Sequence, residues 1–410
     1  MMKKILHNEL FRKIMFTLMM VMLMELGRQI ALPAVDTQTS KSVLDSVPFL
    51  RNIASVTGGQ FEYPTLFSIG LGPYMTGMIL FQVLRIMDID ALNKLSEYQV
   101  GMIQRLISFL IALLQSLQMI FLIRNHIERS GLVFLGMDYN LIVAFIVLVA
   151  GAMIVSWMSD MTVKFGVGGT GVLIIPGIAS NMPRLFLRGQ GLGSGAINLT
   201  PVLITSFAIA LLVVLIASIY MNKAERRIRI ERPMVQNDFS QSYLPIRVLA
   251  AGSMPFMFST SIFMLPSYLK NLGLGDENLI QKYIAFDNPT GVAIYCGIVI
   301  FLGYAFSFMN FRPENTAKRL KKSGDYIPGV IPGDDTQKYL NHRLLLLSTV
   351  ANVFFLAVIG TPLVVGLFVD GVTNFMFVFS SVLILVTIID TGMEQIKALY
   401  MRTQYNLLER

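Results

Sequence analysis

Charge is scarce in this 410-residue chain, at 14% of residues, where a soluble domain carries roughly a quarter. That shortage excludes an ordinary water-soluble domain, and the 54% of apolar residues points to a chain solvated by lipid. Cysteine is nearly absent: Cys296 stands alone, which rules out an intrachain disulfide and leaves a small hydrophobe within an apolar run. Histidine is limited to His7, His126 and His342, near span ends or in loops, and without an HExxH pattern a zinc hydrolase has no support. Low-complexity stretches and a separate soluble domain are also missing.

What is present is a series of apolar segments near 14–32, 69–87, 103–123, 139–158, 171–187, 199–221, 247–266, 291–309, 344–366 and 372–390. Each has roughly the length needed to cross a bilayer, so the expected class is an all-α polytopic membrane protein with ten spans. The first and fifth are the weakest, because Glu25 and Arg28 lie in one and the run Gly166, Gly168, Gly169 and Gly171 opens the other. Lys3, Lys4, Arg12 and Lys13 ahead of an apolar run imitate a signal peptide, but no convincing small-residue cleavage site follows, so a retained span is expected.

Basic residues sort onto alternate connections. One side collects the N-terminal cations, Arg85, Lys94, Arg105 and Lys164, then two cation-rich loops at 222–246 and 310–343, and finally Lys397, Arg402 and Arg410. By the positive-inside rule both termini are expected in the cytoplasm. The same charges can orient helices and touch anionic lipid, and two protruding basic loops on one face also suit a docking partner.

Enzyme and carrier chemistry find little to stand on. Gly273, Leu274, Gly275 and Asp276 spell the GxGD of intramembrane aspartyl proteases, but they sit in a polar loop without a second intramembrane Asp. The glycines at 166–171 lack the Lys and Ser/Thr of a phosphate-binding loop and read as a helix entry or a close backbone contact. Glu25 with Arg28 fits a salt bridge better than a proton relay. An ion-coupled small-solute transporter would bury more convergent charge, so it remains a remote alternative. No metal, cofactor or nucleic-acid partner is expected.

Several segments resemble, in order along the chain, the SecY/Sec61 protein-conducting channel family. Leu26, Gly27, Ile30, Pro33, Val35 and Asp36 look like the end of its first span. Gly58, Gly59, Glu62, Phe67, Gly70, Pro73 and Tyr74 look like its plug and second helix, and Arg105 and Gln115 match the third span. Gly166, Gly168, Ile174, Gly177, Ile178 and Pro183 suit the fifth span, and Leu244, Pro245, Val248, Ala251, Gly252 and Pro255 the entry into the seventh. The most specific stretch runs from Pro313 and Glu314 through Lys321, Lys322, Pro328, Gly329, Pro332 and Gly333 to Leu340, the loop between helices eight and nine.

The resemblance implies two pseudo-symmetric inverted halves of five spans, 1–195 and 196–410, and a pore with an apolar waist. Mapped onto this chain, the waist falls on Leu71, Met75, Ile174, Met257 and Leu383, with Thr170 or Gly171 as a sixth. The plug falls on Gly58, Gly59, Phe61, Glu62, Pro64, Leu66 and Phe67. A lateral gate between the second and seventh spans would use Gln82, Gln115, Ser259, Thr260 and Ser261. Implied partners are an unfolded preprotein with its signal peptide, membrane lipid, small one-span SecE/SecG-like subunits, and a SecA-like cytoplasmic ATPase docking on Arg226, Arg227, Arg229, Lys318, Arg319, Lys321 and Lys322. Departures from the family pattern include Ile331 in place of a near-invariant Arg, Leu249 in place of an Asn, and Glu25 in place of an Arg. These losses look like the accessory branch of Gram-positive bacteria, which serves a dedicated SecA paralogue and exports serine-rich glycoprotein adhesins. A general SecY channel is the alternative.

Overall fold

A computed structural model describes residues 9–33, 35, 64–86, 95–124, 127, 133–134, 137–188, 201–232, 242–259, 262–263, 286, 288–369 and 372–408. The chain divides into two compact units, Met1–Gln190 with Ile388–Arg410, and Gly191–Thr387. Both are helical apart from two small hairpins.

In the first unit, α1 (Glu9–Gln29) is followed by a short backbone bridge in which Leu32 N–H donates to the Pro64 carbonyl and Leu66 N–H to the Ile30 carbonyl. α2 (Gly72–Ile86) and α3 (Glu97–Ile123) then pack closely, because Gly77 lets the Ser108 side chain and backbone lie directly against it. α3 opens on a capping box in which Ser96 and Gln99 each satisfy the other's backbone N–H. A two-residue hairpin, β1 (Val133–Phe134) and β2 (Met137–Asp138), leads into α4 (Tyr139–Phe165).

The glycine-rich stretch after α4 is a helix entry. Gly168 and Gly169 take the left-handed conformation at φ 84° and 62°, and a 3₁₀ turn, Gly169–Ile174, leads into α5 (Ile175–Arg188). Its backbone N–H groups are already used: Val167 donates to Thr17 Oγ1 at 2.8 Å and Gly168 to Gln395 Oε1 at 2.7 Å.

In the second unit, α6 (Pro201–Lys223) runs into the hairpin β3 (Glu225–Arg229) and β4 (Tyr243–Arg247). A turn at Gly252, φ 61°, leads into the helix α7, which is described over 254–259 and 262–263. α8 (Pro289–Phe311), α9 (Pro313–Ser323) and α10 (Asp334–Phe355) follow. A π turn, Leu356–Gly360, passes into α11 (Thr361–Gly366), and α12 (Thr373–Leu408) closes the chain, its residues from Ile388 onward belonging to the first unit.

Six helical stretches among the described residues are long and apolar enough to cross a membrane: Tyr98–Phe121, Tyr139–Phe165, Ile204–Lys223, Pro289–Ser323, Asp334–Gly366 and Phe375–Met401. The segments expected at 14–32, 69–87 and 171–187 are helical too, but shorter or more charged; within 247–266 the described helical residues are 254–259 and 262–263. Leu106, Leu110, Leu114, Leu117 and Phe121 form an exposed stripe on α3, spaced as a lipid-facing side requires. Several helices outrun the apolar segments that predicted them, α4 by seven residues at its end and α12 by eighteen. Helix ends follow capping and backbone hydrogen bonding rather than the edge of hydropathy.

Candidate functional site

The residues assigned to the waist are all buried. Leu71 and Met75 lie one turn apart at the start of α2, where Met75 N–H donates to the Leu71 carbonyl at 3.0 Å. Ile174 ends the 3₁₀ turn and has no exposed surface. In the second unit Met257 lies on α7, and Leu383 lies on α12 with its carbonyl accepting the Thr387 hydroxyl at 2.9 Å. Thr170 and Gly171 are half-buried, Gly171 lying against Ile388.

Of the plug positions, Gly58, Gly59, Phe61 and Glu62 lie outside the described residues. Pro64, Leu66 and Phe67 lie in an anchored turn: Thr65 and Ser68 are fully buried, the Thr65 N–H donates to Ser68 Oγ at 2.6 Å, and the Phe67 ring occupies the space that Gly27 leaves open. Among the gate positions, Thr260, Ser261 and the side chain of Gln82 lie outside the described residues, and Gln115 is half-buried on α3. Ser259 is fully buried, with its hydroxyl 2.9 Å from the Tyr295 hydroxyl of α8.

The two basic loops fold into one module. In the β3–β4 ladder Arg227 faces Pro245 and Ile228 faces Leu244, and strand alternation turns Ile228 inward and its arginine neighbours outward. Ile228 and Ile246 join Ala317, Ile327, Leu340 and Leu344 in a buried core. Each buried Ile or Leu there contributes roughly 1.5–3 kcal/mol. α9 supplies one wall because Pro313, Thr316, Ala317 and Leu320 recur at helical spacing and are buried. Pro313 starts it, and Gly324, at φ 73°, ends it by donating to the Leu320 and Lys321 carbonyls.

A second pairing closes the module. Glu231 N–H donates to the Tyr326 carbonyl at 2.9 Å, Tyr326 N–H returns the bond at 3.1 Å, and the Tyr326 hydroxyl donates to the Glu231 carboxylate at 2.7 Å. That hydrogen bond, then the carboxylate's charge, raises the tyrosine pKa above its ordinary value.

All seven docking cations point outward from this module. Arg227 pairs with Glu225 at 2.8 Å, Arg229 with Glu231 at 3.7 Å, and Lys318 with Glu314 at 2.6 Å. Arg226, Arg319, Lys321 and Lys322 meet no carboxylate among the described residues, and they give the surface a positive field suited to steering an acidic partner. Ile331, where the family pattern has an Arg, is 70% exposed.

Sequence reading missed Asp160. Hydropathy ended the fourth span at 158, yet α4 continues to Phe165 and carries the carboxylate with it. Arg105 of α3 pairs with it at 3.0 Å, and the Tyr74 hydroxyl of α2 donates to it at 3.1 Å. Glu25 and Arg28 are ion-paired at 3.4 Å, as expected. No group of three or more metal-ligating side chains occurs among the described residues.

The SecY family model matches residues 65–392. The chain belongs to the SecY family. It is similar to the accessory Sec system protein translocase subunit SecY2 of Leuconostoc gelidum subsp. gasicomitatum, at 30% identity over 97% of this chain and 96% of that one. The subunit of the same description from Streptococcus salivarius is 30% identical over 89% of each. The protein translocase subunit SecY of Staphylococcus epidermidis is 27% identical over 97% and 96%. In fold the chain resembles a solved protein conducting channel, with a TM-score of 0.59 at 16% identity, covering 95% of this chain and 92% of that one. It also resembles the channel of the idle yeast Ssh1 complex bound to the 80S ribosome, with a TM-score of 0.58 at 14% identity over 90% and 87%. This SecY-family chain is thus a Sec-type protein-conducting channel subunit, and its family comprises multi-pass proteins of the bacterial plasma membrane that are channels and not enzymes.

Proposed function

We propose that this SecY-family chain is the channel of an accessory Sec system, passing unfolded preproteins across the plasma membrane, with serine-rich glycoprotein adhesins as its cargo. The observation that carries the accessory reading is near-full-length identity of 30% to an accessory SecY2 subunit. The exposed Ile331 supports it, because an apolar side chain in place of a family arginine calls for a motor with a matching surface.

In this reading ten spans form two inverted halves, 1–195 and 196–410, with both termini in the cytoplasm. Leu71, Met75, Ile174, Met257 and Leu383 form a waist whose uncharged side chains offer ions no solvation, so it dewets when empty and admits only a threaded chain. The plug, reaching back to Gly58 from its anchor at 64–68, covers that waist at rest. Signal sequences enter through the gate of Gln82, Gln115, Ser259, Thr260 and Ser261, where hydrogen bonds worth about 1 kcal/mol each are readily exchanged. A SecA-like ATPase docks on Arg226, Arg227, Arg229, Lys318, Arg319, Lys321 and Lys322, and small one-span subunits brace the halves.

Affinity purification from native membranes tests this. A dedicated SecA paralogue is expected to co-purify, and deletion of the chain is expected to stop adhesin export while general secretion continues. Recovery of the housekeeping motor, with general secretion failing instead, identifies a general SecY channel.

A further inference from the structure

Asp160 stands on α4, one of the helices able to cross the membrane, where a carboxylate persists only if partners satisfy it. Arg105 of α3 donates from Nε to Asp160 Oδ2 at 3.0 Å, and its Nη2 forms an ion pair with the same oxygen at 3.0 Å. The other oxygen, Oδ1, accepts the Tyr74 hydroxyl at 3.1 Å. One carboxylate therefore links three helices, with a charged donor on one oxygen and a neutral donor on the other. Both bonds are charge-assisted, because their common acceptor is a carboxylate; the Arg105 side is the more exposed and the Tyr74 side is partly buried.

The Tyr74 bond reaches the helix that carries Met75, assigned above to the waist. Tyr74 is the neighbour of Met75 and lies three residues after Leu71. α2 also packs on α3 where Gly77 lies against Ser108, and a directional hydrogen bond adds rotational register to such packing. The hydroxyl of Tyr74 supplies that register.

We infer that Asp160, anchored by Arg105, is a positioning residue for the channel seal: through Tyr74 it sets the rotation of α2 that places Leu71 and Met75 in the waist. This rests on the assignment of Leu71 and Met75 to the waist.

The test uses the full chain with its co-purifying subunits in proteoliposomes, measuring resting ion leak per channel, and in cells the export of a preprotein with a disabled signal sequence. Tyr74→Phe removes only the hydroxyl and leaves the ion pair, so folding is spared. It is expected to raise leak roughly three- to tenfold, the shift that one interhelical hydrogen bond exerts on a closed–open equilibrium, and to allow export of the signal-defective preprotein. Asp160→Asn combined with Tyr74→Phe should leak no more than Asp160→Asn alone, and Asp160→Glu should restore part of the seal. A merely structural role would lower the amount of channel without changing leak per channel or signal dependence. Wild-type leak in Tyr74→Phe, alongside increased leak in Met75→Asn, overturns the positioning role and leaves the waist standing. If Leu71→Asn and Met75→Asn are also silent, the waist assignment falls, and the positioning role with it.

Discussion

Arg227 lies over the ring of Tyr243 across the β3–β4 hairpin, its guanidinium carbon 4.8 Å from the ring centroid. The stack, together with the Glu225 pair at 2.8 Å, gives an exposed arginine a fixed pose. Its hydrogen bond to Glu225 also raises the guanidinium pKa further, so Arg227 stays charged. Reversing Arg226, Arg227 and Arg229 to Glu together is expected to weaken motor binding by tenfold or more at about 0.15 M salt, with a smaller effect at about 1 M, where screening shortens the reach of charge. Surface-immobilised motor titrated with channel in nanodiscs measures this; salt-independent loss points to a misfolded hairpin instead.

The core beneath that surface predicts a local failure. Ile246 and Leu340 are fully buried in the module, so Ile246→Ala or Leu340→Ala is expected to cost about 2–5 kcal/mol. Hydrogen exchange should rise across β3, β4 and α9 while α3 and α4 keep their protection.

The Tyr326–Glu231 bond gives the same module a pH dependence. Because the tyrosine pKa is raised in the folded module, its contribution is fully present below the ordinary tyrosine value of about 10 and is lost as pH rises through the folded value above it. Exchange protection in the wild type is expected to exceed that of Tyr326→Phe at pH 8, and the difference is expected to shrink as pH rises past the ordinary tyrosine value. A constant difference across that range contradicts the assignment.

Glycine packing makes opposite predictions at two sites. A Cβ at Gly151 would collide with the Leu66 carbonyl oxygen, a backbone atom that cannot swing aside. At Gly101 on α3 a Cβ meets nothing within 4 Å. Thermal melting in detergent should fall for Gly151→Ala, by the equivalent of about 1–3 kcal/mol. It should hold or rise for Gly101→Ala, where helix propensity gains up to about 1 kcal/mol.

The helix bodies were legible because apolar runs of spanning length leave few alternatives, and the cation-rich face of the β3–β4 and α9 module was legible because one sign of charge gathered on two loops. Helix ends were not: α10 begins at Asp334, well before its apolar stretch, because Gly333 at φ 122° and the acids of its first turn set the start. The β3 strand was equally hidden, since Ile228 is its single apolar residue among Glu225, Arg226, Arg227 and Arg229, and its core partners come from a loop about a hundred residues away. Asp160 escaped notice because its significance depends on Tyr74 and Arg105, which only folding brings to it.

In the proposed function the translocating chain passes through the waist. An arrested preprotein carrying single cysteines at successive positions should, on addition of an oxidant, form disulfides with Cys introduced at Met257 and at Leu71, and not with Cys at Ile209, an exposed residue of α6. Crosslinks at Ile209 equal to those at Met257, or none at Met257 and Leu71, would contradict it.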